Sequence, residues 1–148
     1  MTFEKDEKYL AADINQIPVN IHLKTVIKQD QEEDNYELML QGLFYQKGNA
    51  AFLKYDEVLE EGTVHTIVKM SDRDAVILRS GAVKMRLSFH ADVEKNGSYE
   101  SPYGTLLLST RTKKIETSEG QFLLKYDLCM NGEVSGTYEM YITYREAK

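Results

Sequence analysis

The sequence predicts an all-β protein, an antiparallel meander closed into a barrel of about 8–10 strands. Three observations carry this. From Ile17 onward, apolar and polar side chains alternate in the two-residue rhythm of strands with one buried face. The runs are separated by short clusters of Gly, Asn and Asp, which suit antiparallel hairpins and are too short for parallel crossovers. A chain of 148 residues makes one domain, and an open sheet of so many strands would leave edges prone to aggregation. Closure removes those edges.

Before the alternation begins, Phe3, Tyr9, Leu10 and Ile14 lie loosely on one helical stripe. That predicts a short N-terminal helix or arm over residues 1–16, followed by the barrel domain over 17–148. The first strand carries Ile17, Val19, Ile21 and Leu23 on one face and Pro18, Asn20, His22 and Lys24 on the other. The second continues with Tyr36, Leu38, Leu40, Gly42 and Phe44. Further strands are predicted over 50–55, 63–70, 75–79, 83–89, 99–103, 105–115, 121–129 and 134–145. In the last, Val134, Gly136, Tyr138, Met140, Ile142 and Tyr144 share a face. Gly42 and Gly136 interrupt apolar faces where a strand of a closing sheet must coil sharply. Turns are predicted at Gln46-Lys47-Gly48-Asn49, Glu60-Glu61-Gly62, Ser71-Asp72-Arg73-Asp74, Ser80-Gly81, Lys95-Asn96-Gly97, Ser101-Pro102-Tyr103-Gly104, Glu119-Gly120 and Asn131-Gly132.

Charge narrows the partners. With 18 Lys+Arg against 24 Asp+Glu the net charge is −6, a sign that repels phosphate backbones and anionic lipid heads. Neither nucleic acid nor a membrane surface is expected as a partner. Cys129 is the lone cysteine, so no internal disulfide forms, and a reducing compartment fits better than export. The opening MTFEKDEKYLAAD has no apolar stretch of a signal peptide, and no run approaches the ~18 apolar residues of a spanning helix. A cytoplasmic location is therefore expected.

Signatures of common chemistry are missing: no G-x-G-x-x-G or Walker loop, no C-x-x-C, no H-E-x-x-H and no G-x-S-x-G. No cofactor is implied. His22, His65 and His90 fall on separate strands without metal-ligand spacing, and no metal is expected. Cys129 reads as an inert, partly covered thiol, and Arg86 as solvated among Lys84, Ser88 and His90. Two other charged residues are more informative. Glu57 shares the phase of Leu53 and Tyr55, and Arg79 that of Ala75 and Ile77, so both point inward and each needs a counter-charge. An internal ion pair is the leading expectation, with a ligand as the alternative anion. Ten tyrosines stand against no tryptophan. Tyr36, Tyr55, Tyr126, Tyr138 and Tyr144 fall on apolar faces, giving an amphipathic interior for either a self-satisfied core or a partly polar ligand.

Thr66-Ile67-Val68-Lys69, Arg79-Ser80-Gly81-Ala82-Val83-Lys84-Met85, the stretch YESPYG at 99–104 and Ile142-Thr143-Tyr144 resemble the YwiB-like family of uncharacterised Gram-positive bacterial proteins. The likeness runs from about Ile17 to Tyr144, and its most specific piece is the string beginning at Arg79. The resemblance implies a calycin-like barrel of the lipocalin type and implies no activity. The chain departs from better-known calycins in lacking a Gly-x-Trp near the first strand, a disulfide, and an Arg-x-Tyr in the last strand, which speaks against a lipid ligand.

Three functional readings follow. The first is a barrel binding a small molecule in its lumen or mouth, with Arg79, Glu57, Tyr55 and Tyr103 as polar anchors. A second is an interaction module with a packed lumen, using Leu43, Tyr45 and Tyr141 as an exterior patch for a partner or a homodimer. The third is an enzyme acting through Glu57, His65 and Arg79, on a fold that does not itself decide function.

Overall fold

A computed structural model describes residues 15–147. The helix or arm predicted for residues 1–16 falls almost wholly outside them. Ten strands follow one another: β1 (Ile17–Gln29), β2 (Glu32–Lys47), β3 (Ala50–Leu59), β4 (Gly62–Met70), β5 (Asp74–Gly81), β6 (Lys84–His90), β7 (Glu94–Ser101), β8 (Gly104–Ser118), β9 (Gln121–Met130) and β10 (Glu133–Glu146). Each pairs antiparallel with its sequence neighbours, and β1 pairs with β10, so the meander closes. No helix among the described residues is long and apolar enough to cross a membrane.

Closure preserves the alternation all round the barrel. Ile21 stands opposite Leu40 on β2 and Tyr144 on β10, and Leu23 opposite Leu38 and Ile142. The apolar phase of every strand therefore meets that of its neighbour, and a slip of one residue would turn a whole row outward. Tight turns supply the backbone conformations expected, with positive φ at Asp30, Gly48, Gly120, Asn131 and Gly132.

Two predicted turns are corrected. Ser80 and Gly81 still pair with β4 inside β5, and the chain reverses after them at Ala82 and Val83. Lys95-Asn96-Gly97 lies inside β7, and the chain reverses instead just before it, where Asp92 has φ 64°. Gly97 is there for space: a Cβ would stand 2.5 Å from the Arg86 carbonyl oxygen of the neighbouring strand. Close approach of two backbones, not reversal, explains this glycine.

The lumen is partly filled. Leu53, Val68, Met70, Phe89, Phe122, Leu124 and Ile142 are almost completely buried and form a waist across the barrel. On one side of it lies the cavity described below, and on the other a hollow of about 720 Å³ bordered by the stacked pair Phe44 and Tyr144, 5.1 Å between centroids.

The wall itself is uneven. Residues 42–47 of β2 pair with 50–55 of β3, after which the two strands part. Gly42 is the pivot: a Cβ would lie 2.4 Å from the Lys54 carbonyl oxygen and 2.7 Å from the Ile21 Cδ1. Because the first of these neighbours is backbone, Gly42→Ala is expected to destabilise by about 1–3 kcal/mol, read as a lower urea midpoint at an unchanged slope.

Candidate functional site

One row of side chains crosses the mouth end of the barrel. Tyr55 on β3 pairs with Thr66 on β4, Thr66 with Arg79 on β5, and Arg79 with Met85 on β6. All four point into the lumen because they share the phase of the core residues Leu53, Val68, Ile77 and Leu87. Thr66, the small member, leaves room above the sheet between its larger neighbours. Through that space Arg79 Nη2 donates to Glu57 Oε1 at 3.3 Å, with the two side chains only 26% and 17% exposed. The internal ion pair expected from phase and charge is thus present.

Above the waist these residues border a cavity of about 440 Å³. Leu23, Ile77, Leu87 and Met140 supply its apolar wall, and Tyr36, Tyr126 and Tyr138 its aromatic wall. Tyr126 stacks on Tyr138 at 5.2 Å with rings 9° from parallel, and leans on Phe89 at 4.6 Å. Such packing fixes both phenols against the wall.

Burial sets the protonation states. The Tyr55 phenol is pushed up to about 12, first by burial and then by the Glu57 carboxylate, with Arg79 and Thr66 working against them. Tyr126 is raised by burial and secondarily by Tyr138, and Tyr138 by burial and then by Tyr36. Near neutrality all three remain phenols, able both to donate and to accept.

The polar groups of this site are under-used. The Thr66 Oγ1 is buried without a hydrogen-bond partner among the described residues; it lies near enough to Tyr55 to favour the phenolate, but not at hydrogen-bond geometry. Arg79 carries five N–H donors, and Glu57 takes the one side-chain hydrogen bond it makes. An unpaired buried hydroxyl costs about 1–3 kcal/mol. Thr66→Val, which keeps the shape and removes the hydroxyl, is therefore expected to raise stability by about 1 kcal/mol, read from the urea midpoint.

Other candidates lie elsewhere. Tyr103 sits in the β7–β8 turn, 99% exposed, and does not border the cavity. His65 is on the outer face, its Nδ1 2.7 Å from the Asp56 Oδ1, so the barrel wall separates it from Glu57 and Arg79. Those three residues do not form one site. Leu43, Tyr45 and Tyr141 are on the outer face as predicted, where Tyr45 stacks on Phe52 at 4.8 Å. Cys129 is 1% exposed, more covered than expected. Among the described residues no cluster of His, Cys, Asp and Glu is arranged to hold a metal. The sequence reading did not single out Thr66. Its signal was available: a lone hydroxyl in phase with Val64, Val68 and Met70 on an otherwise apolar face.

The family is settled by comparison. Residues 21–142 match the model of the domain of unknown function DUF1934. This chain belongs to the DUF1934 family. It is 34% identical over 131 residues to the uncharacterized beta-barrel protein YwiB of Bacillus subtilis (strain 168), covering 86% of this chain and 92% of that one. The crystal structure of the ywiB protein from Bacillus subtilis superposes with a TM-score of 0.80 at 31% identity, covering 95% of this chain and 99% of that one. Membership in DUF1934 accounts for the barrel and leaves the chemistry of the cavity to its own residues.

Proposed function

We propose that this DUF1934 barrel binds a small, partly polar molecule in the cavity above its waist, in the cytoplasm. One observation carries the reading: Tyr55, Thr66 and Arg79 form a continuous polar row on the wall of a mainly apolar and aromatic cavity of about 440 Å³, which Glu57 also borders, and the Thr66 hydroxyl has no partner among the described residues. Apolar walls with a few convergent polar groups are what ligand sites share. The walls would supply affinity, and the row would orient whichever polar end the ligand presents.

The test is a thermal-shift screen of small polar aromatic and heterocyclic compounds. A ligand at 100-fold its Kd adds about 2.7 kcal/mol, which for a chain of this size is a rise in Tm of roughly 5–10 °C. The shift is expected to shrink in Arg79→Leu and in Thr66→Val. If no compound stabilises the wild type, or if both variants respond as it does, the cavity is not the binding site.

A further inference from the structure

The parting of β2 from β3 leaves two strand edges facing one another across a cleft. Among the described residues, 32–41 of β2 pair with β1 and have no strand partner on the side of β3, and 56–59 of β3 pair only with β4. A row of unpaired N–H and C=O groups is a template for another strand, and exposed edges are commonly blunted by charged side chains, lysine above all, or by proline. Neither lysine nor proline occurs in residues 32–41.

Carboxylates flank the cleft instead. Asp30, Glu32, Glu33, Asp34, Glu37, Asp56, Glu57, Glu60 and Glu61 occupy residues 30–37 and 56–61, which contain no Lys or Arg. The whole chain has a net charge of −6, so these nine acids exceed its entire negative excess, and the remainder carries +3. Asp30, Glu32, Asp34, Glu60 and Glu61 have no ion-pair partner among the described residues, whereas Glu37, Asp56 and Glu57 pair with His22, His65 and Arg79. Apolar side chains stand between the acids: Tyr36 and Leu38 on the lumen side, Met39 and Val58, each at least 80% exposed, on the outer side. Tyr36 and Leu38 share the phase of the core, so their exposure follows from the missing neighbour. At the vertex, Gly42, Tyr55 and Thr66 border a hollow of about 540 Å³.

We infer that this cleft takes an extended cationic peptide segment of another protein, added as a strand to the open edge of β2. Backbone pairing supplies the frame, and alternate side chains fall on the lumen and outer sides. Acidic flanks repel a second acidic edge, so two copies of this chain are kept from joining here, while Lys and Arg residues are attracted and steered in.

The probe is a fluorescein-labelled octapeptide of alternating Lys and Val, compared with its Glu-Val counterpart and with a Lys-Val version N-methylated on alternate amides. Lys-Val is expected to raise anisotropy and to slow amide exchange within residues 34–41, and added salt to weaken it. The N-methylated peptide keeps the charge and loses the ladder, and should bind about tenfold or more weakly. The quadruple variant Glu32→Gln, Asp34→Asn, Glu60→Gln, Glu61→Gln, which alters exposed side chains without ion-pair partners, should weaken Lys-Val several-fold with an unchanged melting curve. Failure of Lys-Val to bind up to millimolar peptide overturns the inference. So does equal binding of the N-methylated form, which would leave charge alone, or slowed exchange on other strands instead of β2.

Discussion

Truncating Phe122 to alanine lowers the stability of the fold by about 3–5 kcal/mol. The ring is 1% exposed on β9, opposite Ile142 of β10 and Thr117 of β8, and belongs to the waist separating the two hollows of the barrel. Two terms set the size. The first is the transfer free energy of the buried ring, about 1.5–3 kcal/mol. The second is the void left behind, and strands tied on both sides by hydrogen bonds have little freedom to fill it. Loss is expected as a fall in Tm of roughly 6–20 °C, and Phe122→Leu should cost less than about 2 kcal/mol because it keeps most of the volume. A loss below about 1 kcal/mol for alanine would mean that the waist closes over the gap. The same variant bears on function, since joining the two hollows would enlarge the cavity and weaken discrimination by ligand size.

The barrel was legible because its determinants are local and repeat. Each strand states its buried face in its own alternation, and each turn names itself through Gly, Asn or Asp, so ten strands and their order follow with little long-range information. Errors fall where a residue answers to something distant. Gly97 looks like a turn residue when read with Asn96, and only the Arg86 carbonyl of β6 shows why no side chain fits. Phase placed Glu57 and Arg79 inward, and their pairing followed from charge. Tyr103 has the right residue type and lies near a strand end, but turn geometry points it into solvent. Strand phase fixes the side of the wall a residue occupies and says nothing of its depth along the lumen, which depends on stagger summed around the closed sheet. For the same reason neither the partly filled lumen nor the parting of β2 from β3 is written in any single segment.

Raising the pH from 10 towards 12 should unfold this protein at urea concentrations it tolerates near neutrality. Burial, reinforced by the Glu57 carboxylate, raises Tyr55 to about 12 from the ordinary 10.0. Below pH 10 folded and unfolded chains both hold the proton, and the full stability is present. Between 10 and 12 the unfolded chain releases it while the folded chain keeps it, so the unfolded state is stabilised relative to the folded one and stability falls as the pH rises through the folded value. At about 1.4 kcal/mol per pH unit, Tyr55 alone removes about 2–3 kcal/mol by pH 12. Tyr126, more deeply buried, is raised further and acts in the same direction, as do Tyr138 and Tyr144. Lysines lose their charge over the same range and break surface pairs such as Lys125 with Glu139, so the comparison that isolates the phenol is wild type against Tyr55→Phe. Urea midpoints followed by circular dichroism should fall more steeply with pH in the wild type than in the variant, and phenolate absorbance near 295 nm should rise together with unfolding. Equal slopes would show that Tyr55 reaches solvent through the gap between β2 and β3. The cavity would then be wetter than its walls imply, and the Tyr55, Thr66 and Arg79 row would meet a ligand in competition with bulk water.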